Sequence, residues 1–181
     1  IDGDKEYLNR CLKYYDDFNI MAAGVLLKES EIPNKICELL KEYNPDIVVV
    51  TGHDAFYSRR ENEYQNTDNF IMCVKEARKY EKSQDKLIII AGACQSNYED
   101  LIKAGANFAS SPKRINIHAL DPAIIASKMS LASVDIDIDL KVNLSFSKID
   151  NAKLVKIKDL NIDIVIAEVK DFKIICYLKS N

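Results

Sequence analysis

Two residues of the chain have side chains suited to nucleophilic catalysis, and each follows a buried-strand pattern. The apolar run Ile47–Thr51, which predicts a strand buried on both faces, leads through a glycine to His53. The run Leu87–Ala91 leads through a glycine and an alanine to Cys94. A cysteine thiol is mostly protonated at neutral pH, so it needs a neighbouring base to act as a nucleophile. If the two strands are neighbours, the sequence predicts Cys94 as nucleophile and His53 as its general base and acid.

The turns around these residues favour the same chemistry. A helix is predicted to begin shortly after Cys94, and the partial positive charge of its N-terminus lowers the pKa of a nearby thiol. Main-chain N–H groups in such turns can bind an oxyanion as it forms. We expect the N–H groups of Cys94 and Asp54 to fill that role.

Two other interpretations use the same residues differently. The chain has only two histidines, so the alternative partner of Cys94 is His118, in the Cys-before-His order of glutamine-hydrolysing amidotransferase domains. The nucleophile turns of those domains favour glycine on both sides, whereas Ala93 and Gln95 flank Cys94. The third interpretation is a non-enzymatic binding or scaffolding module in which these residues are bystanders.

The remaining cysteines are predicted to be small buried residues. They are Cys11, Cys37, Cys73 and Cys176. An odd total of five without a C-x-x-C pair argues against a structural zinc site and a disulfide framework, and favours a reducing, cytoplasmic compartment. No metal or cofactor is predicted, because the alternating Asp135, Asp137 and Asp139 fit the solvent-facing side of a strand.

Charge and hydropathy exclude two classes of partner. The 181 residues carry 25 basic and 28 acidic side chains, and a net charge of −3 argues against nucleic acid binding. No apolar run approaches the roughly 18 residues of a membrane span, and no secretory leader is evident, so we expect a soluble protein. Because the first residue is Ile1 rather than Met, we expect a fragment or a processed form.

Periodicity predicts the elements that position these residues. Helices are expected at 1–17, 32–43, 68–80, 96–103 and 121–131, and strands at 20–27, 47–51 and 87–91. A polar loop is expected at 52–66, and Ser96 and Gly105 are expected to cap the fourth helix. This alternation predicts an α/β fold with a mostly parallel sheet and helices on both faces.

The pattern changes near residue 132. Residues 134–146, 160–168 and 172–178 alternate between polar and apolar side chains, which predicts antiparallel strands. We therefore expect an α/β domain at 1–132 and a small β-rich segment at 133–181.

The order of the motifs resembles that of known peptidases. A strand ending in Gly-His, followed 41 residues later by one ending in Ala-Cys, resembles the caspase-like cysteine peptidases and predicts their three-layer fold. Four motifs in order resemble the YabG family of sporulation-specific proteases. They are Thr51-Gly52-His53-Asp54-Ala55, Ile90-Ala91-Gly92-Ala93-Cys94-Gln95-Ser96, Ala104-Gly105-Ala106-Asn107-Phe108-Ala109-Ser110-Ser111-Pro112 and Asn116-Ile117-His118-Ala119-Leu120-Asp121-Pro122.

This resemblance implies an endopeptidase of sporulating bacteria that cleaves spore coat and germination-related proteins after basic residues, usually arginine. It implies Cys94 as nucleophile and His53 as base, and a location in the cytoplasm of the sporulating cell or at the spore coat. The oligomeric state is left open.

A pocket for arginine needs a carboxylate. Asp54 is the first candidate because it adjoins His53. The other acidic candidates near the two histidine motifs are Glu61, Glu63, Asp68 and Asp121, and His118 is a further candidate for substrate binding. Arg59 and Arg60, in the predicted loop, form a possible self-cleavage site.

Overall fold

The computed structural model describes residues 1–57, 63–109 and 120–131, together with the backbone of 162–169 and 172–179. Its helices are α1 (Lys5–Asp17), α2 (Ile32–Tyr43), α3 (Thr67–Tyr80), α4 (Tyr98–Ala104) and α5 (Asp121–Leu131). Its strands are β1 (Ile47–Val50), β2 (Phe56–Tyr57), β3 (Glu63–Tyr64), β4 (Ile88–Ala91), β5 (Phe108–Ala109), β6 (Ile162–Val169) and β7 (Phe172–Lys179).

The centre of the fold is a parallel sheet in the order β1-β4-β5. In β1 and β4, Val50 pairs with Ala91, and Ile90 of β4 pairs with Phe108 of β5. Both longer strands are rich in β-branched residues, which pack well on a pleated surface. The prediction of an α/β fold with a parallel sheet is confirmed.

Alternate residues of β1 and β4 pack against different helices. Val48, Val50, Ile89 and Ala91 belong to a core that includes residues of α2, α3 and α4. Their neighbours Ile47, Val49, Ile88 and Ile90 pack with residues of α5 and with Tyr15 of α1. Successive strand residues point to opposite faces, so helices cover both faces of this sheet.

The two faces are not equally closed. Val48 and Val50 are buried, but Ile47 and Val49 are only half-buried, so the prediction that this strand is buried on both faces is wrong for β1. A cavity of about 650 Å³ lies there, between β1, α1, α2 and α5.

The segment 20–27, predicted as a strand, does not form one. Only Leu26 makes a bridge, to Asp2, which also bridges Thr51 at the end of β1. Among the described residues, its main-chain pairing with the sheet goes through Asp2, while Leu27 packs against the core. The same bridges keep the first residues extended, so α1 begins at Lys5 rather than at Ile1.

Two further boundaries differ from the predictions. The side chain of Asn97, not Ser96, caps α4 by accepting from the N–H of Asp100, whereas Gly105 ends the helix in the left-handed conformation as predicted. The loop predicted at 52–66 contains the short antiparallel pair β2–β3.

Toward the end of the chain, β6 and β7 pair antiparallel. The predictions for residues 134–146, including Asp135, Asp137 and Asp139, lie outside the described residues.

No helix in the described part of the chain has the length and apolar character needed to cross a membrane.

Candidate active site

His53 and Cys94 leave the same edge of the sheet from neighbouring parallel strands. Each is the third residue after a paired position, since Val50 of β1 pairs with Ala91 of β4. The pairing continues one step further, because the N–H of Gly92 donates to the carbonyl of Val50 at 3.0 Å. The structure thus brings together the two segments that carry the predicted nucleophile and base.

Side chains connect the two segments directly beyond the strands. The hydroxyl of Ser96 donates to Oδ2 of Asp54 at 2.7 Å. The main-chain N–H of Phe56 donates to Oε1 of Gln95 at 3.0 Å. The residue after His53 is therefore bonded to the second residue after Cys94, which fixes the two turns relative to each other.

Asp54 is the centre of this connection. Its side chain is buried, and Oδ1 accepts from the main-chain N–H groups of Ala55 at 2.9 Å and Asn66 at 2.7 Å. Oδ2 accepts from the hydroxyls of Ser96 and Thr67. A buried carboxylate with four donors is well satisfied and has little capacity left for a ligand. These contacts favour a positioning role for Asp54 over the substrate-binding role predicted from sequence.

The turn that carries Cys94 is tight. Gly92 has φ 108° and Gln95 has φ 64°, so both residues have positive φ values. Such values favour glycine, which occupies the first of these two positions. Ser96 is fully buried, and its hydroxyl accepts from the N–H of Ala93 at 2.9 Å. Cys94 itself is half-buried, so its thiol is neither sealed in the core nor fully solvated.

The helix after Cys94 begins only at Tyr98. Cys94 therefore does not sit at its first turn, where the helix dipole acts most strongly. The effect of the helix dipole on Cys94 is therefore weaker than the sequence suggested.

The main chain of His53 is held on both sides while its imidazole is exposed. Its N–H donates to Oε1 of Glu29 at 2.7 Å, and its carbonyl accepts from Nδ2 of Asn66 at 2.8 Å. The ring of Tyr7 lies beside the imidazole, with ring centroids 6.1 Å apart. A fixed main chain with an accessible imidazole suits a residue that exchanges protons with a substrate.

Glu29 is a member of this region that the sequence analysis missed. Its carboxylate packs against Gly3 and Gly52, where a Cβ would collide with it; at Gly52 the distance to Oε1 would be 2.5 Å. The available signal was its position just after the apolar segment 20–27. That segment ends at the same sheet edge as the strands that lead to His53 and Cys94.

The other cysteines have different surroundings. Burial raises the pKa of the Cys73 thiol to about 12. Burial, with a smaller contribution from Asp2, raises the pKa of Cys11 to about 11. Cys37 is half-buried and donates to the carbonyl of Glu76 at 3.5 Å. Protonated, enclosed thiols are poor nucleophiles, which fits packing roles for Cys11 and Cys73.

The remaining candidates divide into described and undescribed residues. Asp121 is buried in the first turn of α5, and Asp68 is exposed in the first turn of α3. The predictions for Arg59, Arg60, Glu61 and His118 and for the side chains of Glu63 and Cys176 lie outside the described residues. Within the described ranges, no group of three or more His, Cys, Asp or Glu could hold a metal.

Comparison with known proteins connects this site to a family. A family model described as YabG peptidase U57 matches residues 1–151, which include both turns. The chain is similar to the sporulation-specific protease YabG of Bacillus subtilis (strain 168), with 46% identity over 135 residues. That match covers 72% of this chain and 47% of the relative, so the chain spans about half the length of the curated relative it matches. No solved structure matches the chain significantly.

Proposed function

Because the chain belongs to the YabG family of peptidases, we propose that it is a cysteine endopeptidase that uses Cys94 and His53 as a dyad. The observation that carries this proposal is the pairing of Val50 with Ala91. Because of this pairing, His53 and Cys94 follow neighbouring strands by the same number of residues at one edge of the sheet. The hydrogen bond between Ser96 and Asp54 supports it, because it ties the two turns together.

The chemistry follows from these positions. His53 takes the proton of the Cys94 thiol, and the thiolate sulfur forms a bond to the carbonyl carbon of the scissile peptide. The carbonyl oxygen becomes an oxyanion, which the main-chain N–H groups of Cys94 and Asp54 bind. His53 then returns the proton to the leaving amine, and the C–N bond breaks. Water, deprotonated by His53, hydrolyses the resulting thioester and releases Cys94.

The fold around the dyad is proposed to be caspase-like, with the sheet as the middle of three layers. Helices on both faces of the parallel sheet support this, as does the order of the two residues, with histidine before cysteine. Ligands of such sheets bind at the carboxyl ends of the strands, which is where both turns lie.

The substrates are proposed to be proteins of the spore coat and of germination, cut after basic residues, chiefly arginine. The printed name of the Bacillus subtilis relative, a sporulation-specific protease, supports the sporulation setting. The protein would act in the cytoplasm of the sporulating cell or in association with the spore coat.

The test is cleavage of an arginine-containing protein substrate by wild type and by Cys94→Ala, His53→Ala and His118→Ala. We expect Cys94→Ala and His53→Ala to lose activity by roughly a thousandfold or more, because the nucleophile and its base act as a unit. Cys37→Ala is the matched control, since Cys37 is also half-buried but lies away from both turns.

Each outcome separates one interpretation from the others. Activity that survives Cys94→Ala or His53→Ala would overturn the dyad. Loss in His118→Ala together with full activity in His53→Ala would favour the amidotransferase-like pairing. Absence of hydrolysis by wild type would favour the non-enzymatic module.

A further inference from the structure

The carboxylate of Glu29 is held in a fixed place next to the candidate base. Its Oε1 accepts from the main-chain N–H of His53 at 2.7 Å, and its carboxyl group fills the space that side chains at Gly3 and Gly52 would occupy. Two parts of the chain that are distant in sequence therefore hold this carboxylate in place. A carboxylate held in this way is ordered before any ligand arrives, which lowers the entropic cost of binding.

The order of chain segments at the sheet edge places Glu29 on the opposite side of His53 from Cys94. Asp2 bridges the end of β1 on the side away from β4, and Leu26 bridges Asp2 one step further out. Glu29 follows Leu26 and reaches back to the main chain of His53. Glu29 therefore contacts the far side of the chain that carries His53, which neighbours the chain that carries Cys94. Paired strands are about 4.8 Å apart.

Among the described residues, Oε1 of Glu29 accepts a hydrogen bond and Oε2 does not. The contact with His53 uses Oε1, and none of the ion pairs among the described residues includes Glu29. The side chain is half-buried, where a charge is screened less than at the open surface. A fixed, partly desolvated carboxylate is the group that recognises a guanidinium or an ammonium.

The alternative role, orientation of the imidazole, fits the contacts less well. Glu29 accepts from the main-chain N–H of His53 rather than from its ring. The ring instead neighbours Tyr7. The carboxylate thus fixes the backbone of the base and leaves its charge for another partner.

We propose that Glu29 is the specificity-determining carboxylate that binds the basic side chain of the residue preceding the scissile bond. This inference rests on the proposed peptidase function and assigns the residue that gives it a preference for arginine. In this arrangement the side chain of arginine or lysine extends past His53 towards Glu29, while its carbonyl carbon stays at the Cys94 thiol. Asp54, the first candidate from sequence, already accepts four hydrogen bonds, so Glu29 is the better placed of these two carboxylates.

The kinetic test compares two peptides that differ only in the residue before the cleaved bond, arginine or its neutral isostere citrulline. We expect wild type to prefer arginine, and Glu29→Gln to reduce the ratio of the two kcat/KM values by roughly ten- to a hundredfold, the value of a charge-assisted hydrogen bond. Glutamine keeps an oxygen for the N–H of His53, so the fold is preserved. Glu31→Gln is the matched control, because it makes the same charge change at an exposed residue nearby.

Two kinetic outcomes would overturn the inference. One is an unchanged arginine-to-citrulline ratio in Glu29→Gln with both rates reduced equally, which would make Glu29 a positioning residue for His53. The other is an equal drop in the ratio for Glu31→Gln, which would indicate a general effect of surface charge.

A binding measurement separates this inference from the proposed function. In the Cys94→Ala background, fluorescence anisotropy of the same peptides reports recognition without cleavage. Tighter binding of the arginine peptide, lost in the Glu29→Gln double variant, would support Glu29 even if wild type cleaved neither peptide. Equal binding of both peptides would overturn the assignment even if the Cys94–His53 dyad proved correct.

Discussion

The two ends of the parallel sheet are each held by one charged side chain, but they differ in what that side chain fixes. At the carboxyl end, Asp54 collects four donors from three segments of chain. At the amino end, the guanidinium of Arg78 donates to acceptors around the starts of β4 and β5. Neither group has an ion-pair partner among the described residues, so each relies on neutral hydrogen bonds.

Arg78 shows what a purely structural network of this kind looks like. Its Nε donates to the carbonyl of Gly105 at 2.8 Å, its Nη1 to the carbonyl of Leu87 at 2.8 Å, and its Nη2 to Oδ1 of Asn107 at 2.6 Å. These bonds join α3 to the end of α4 and to the sheet. Burial lowers the pKa of Arg78, which shows the cost of desolvating this charge.

The contrast teaches what distinguishes a site from a scaffold in this molecule. The Arg78 network binds Asn107 and main-chain carbonyls at helix and strand ends, and none of the described residues that it contacts is a candidate nucleophile. The Asp54 network binds two turns, each of which carries a reactive side chain that is exposed or half-buried. A hydrogen-bond network around one charged side chain therefore stabilises the core at the amino end of the sheet. At the carboxyl end, a similar network holds the two turns that carry His53 and Cys94.

The largest expected difference between the two ends of the sheet is a loss of activity in Asp54→Asn. The amide replaces one accepting oxygen with an NH₂ group, so two of the four donors lose their acceptor. We expect the turns of His53 and Cys94 to shift and kcat/KM to fall by roughly a hundredfold, the cost of small misplacements in an active site. Peptide hydrolysis, measured well below the thermal midpoint of the variant, checks this.

The matched comparison for Asp54→Asn is a variant at the other end that is destabilised without contact with the turns. Arg78→Met serves this purpose. Equal losses of kcat/KM in the two variants would show that Asp54 acts only through general stability, and the contrast between the two ends would fail.

Arg78→Met is expected to have the larger effect on stability. Methionine keeps much of the apolar stem but removes every donor, so several acceptors at the amino end lose their partner. We expect the free energy of unfolding to fall by about 2–3 kcal/mol, with kcat/KM of the folded protein little changed. Urea denaturation measures the first quantity, and kinetics at low temperature measure the second. A loss of activity with unchanged stability would contradict the structural role of Arg78.

The smallest expected effect concerns alkaline pH and tests the distinction between packed and reactive thiols. Folding raises the pKa of Cys73 to about 12, above the ~8.5 of an unfolded cysteine. Its stabilising contribution is therefore complete below about pH 8.5 and is lost as the pH rises towards the folded pKa, because the unfolded chain releases its proton first.

The measurement is the free energy of unfolding between pH 8 and pH 10.5 for wild type and Cys73→Ala. We expect the wild type to lose stability more steeply, by up to about 1.4 kcal/mol for each pH unit. Parallel curves would show that the Cys73 thiol titrates normally in the folded protein.

The sequence was informative wherever local pattern decides structure. Uninterrupted apolar runs identified β1 and β4, and the glycines after them indicated turns, so His53 and Cys94 stood out as strand-end residues. The capping glycine of α4, Gly105, was predictable because the left-handed conformation there favours glycine.

The partners of these residues could not be predicted, because they are distant in sequence. Asp54 meets Thr67 and Ser96 at separations of 13 and 42 residues, and Glu29 meets His53 at a separation of 24. Only the fold decides which carboxylate becomes saturated with donors and which stays available. The segment 20–27 illustrates the same limit, because its single bridge depends on Asp2.

The bond between Ser96 and Asp54 also has a consequence for local unfolding. The amide hydrogens of Asn66, Ala93 and Asn97 all donate to side chains of this one network, through Asp54, Ser96 and Thr67. They should exchange with solvent deuterium together, as one cooperative unit. The turns that carry Cys94 and His53 would then open in a single event, so partial loosening on heating would disorder both at once.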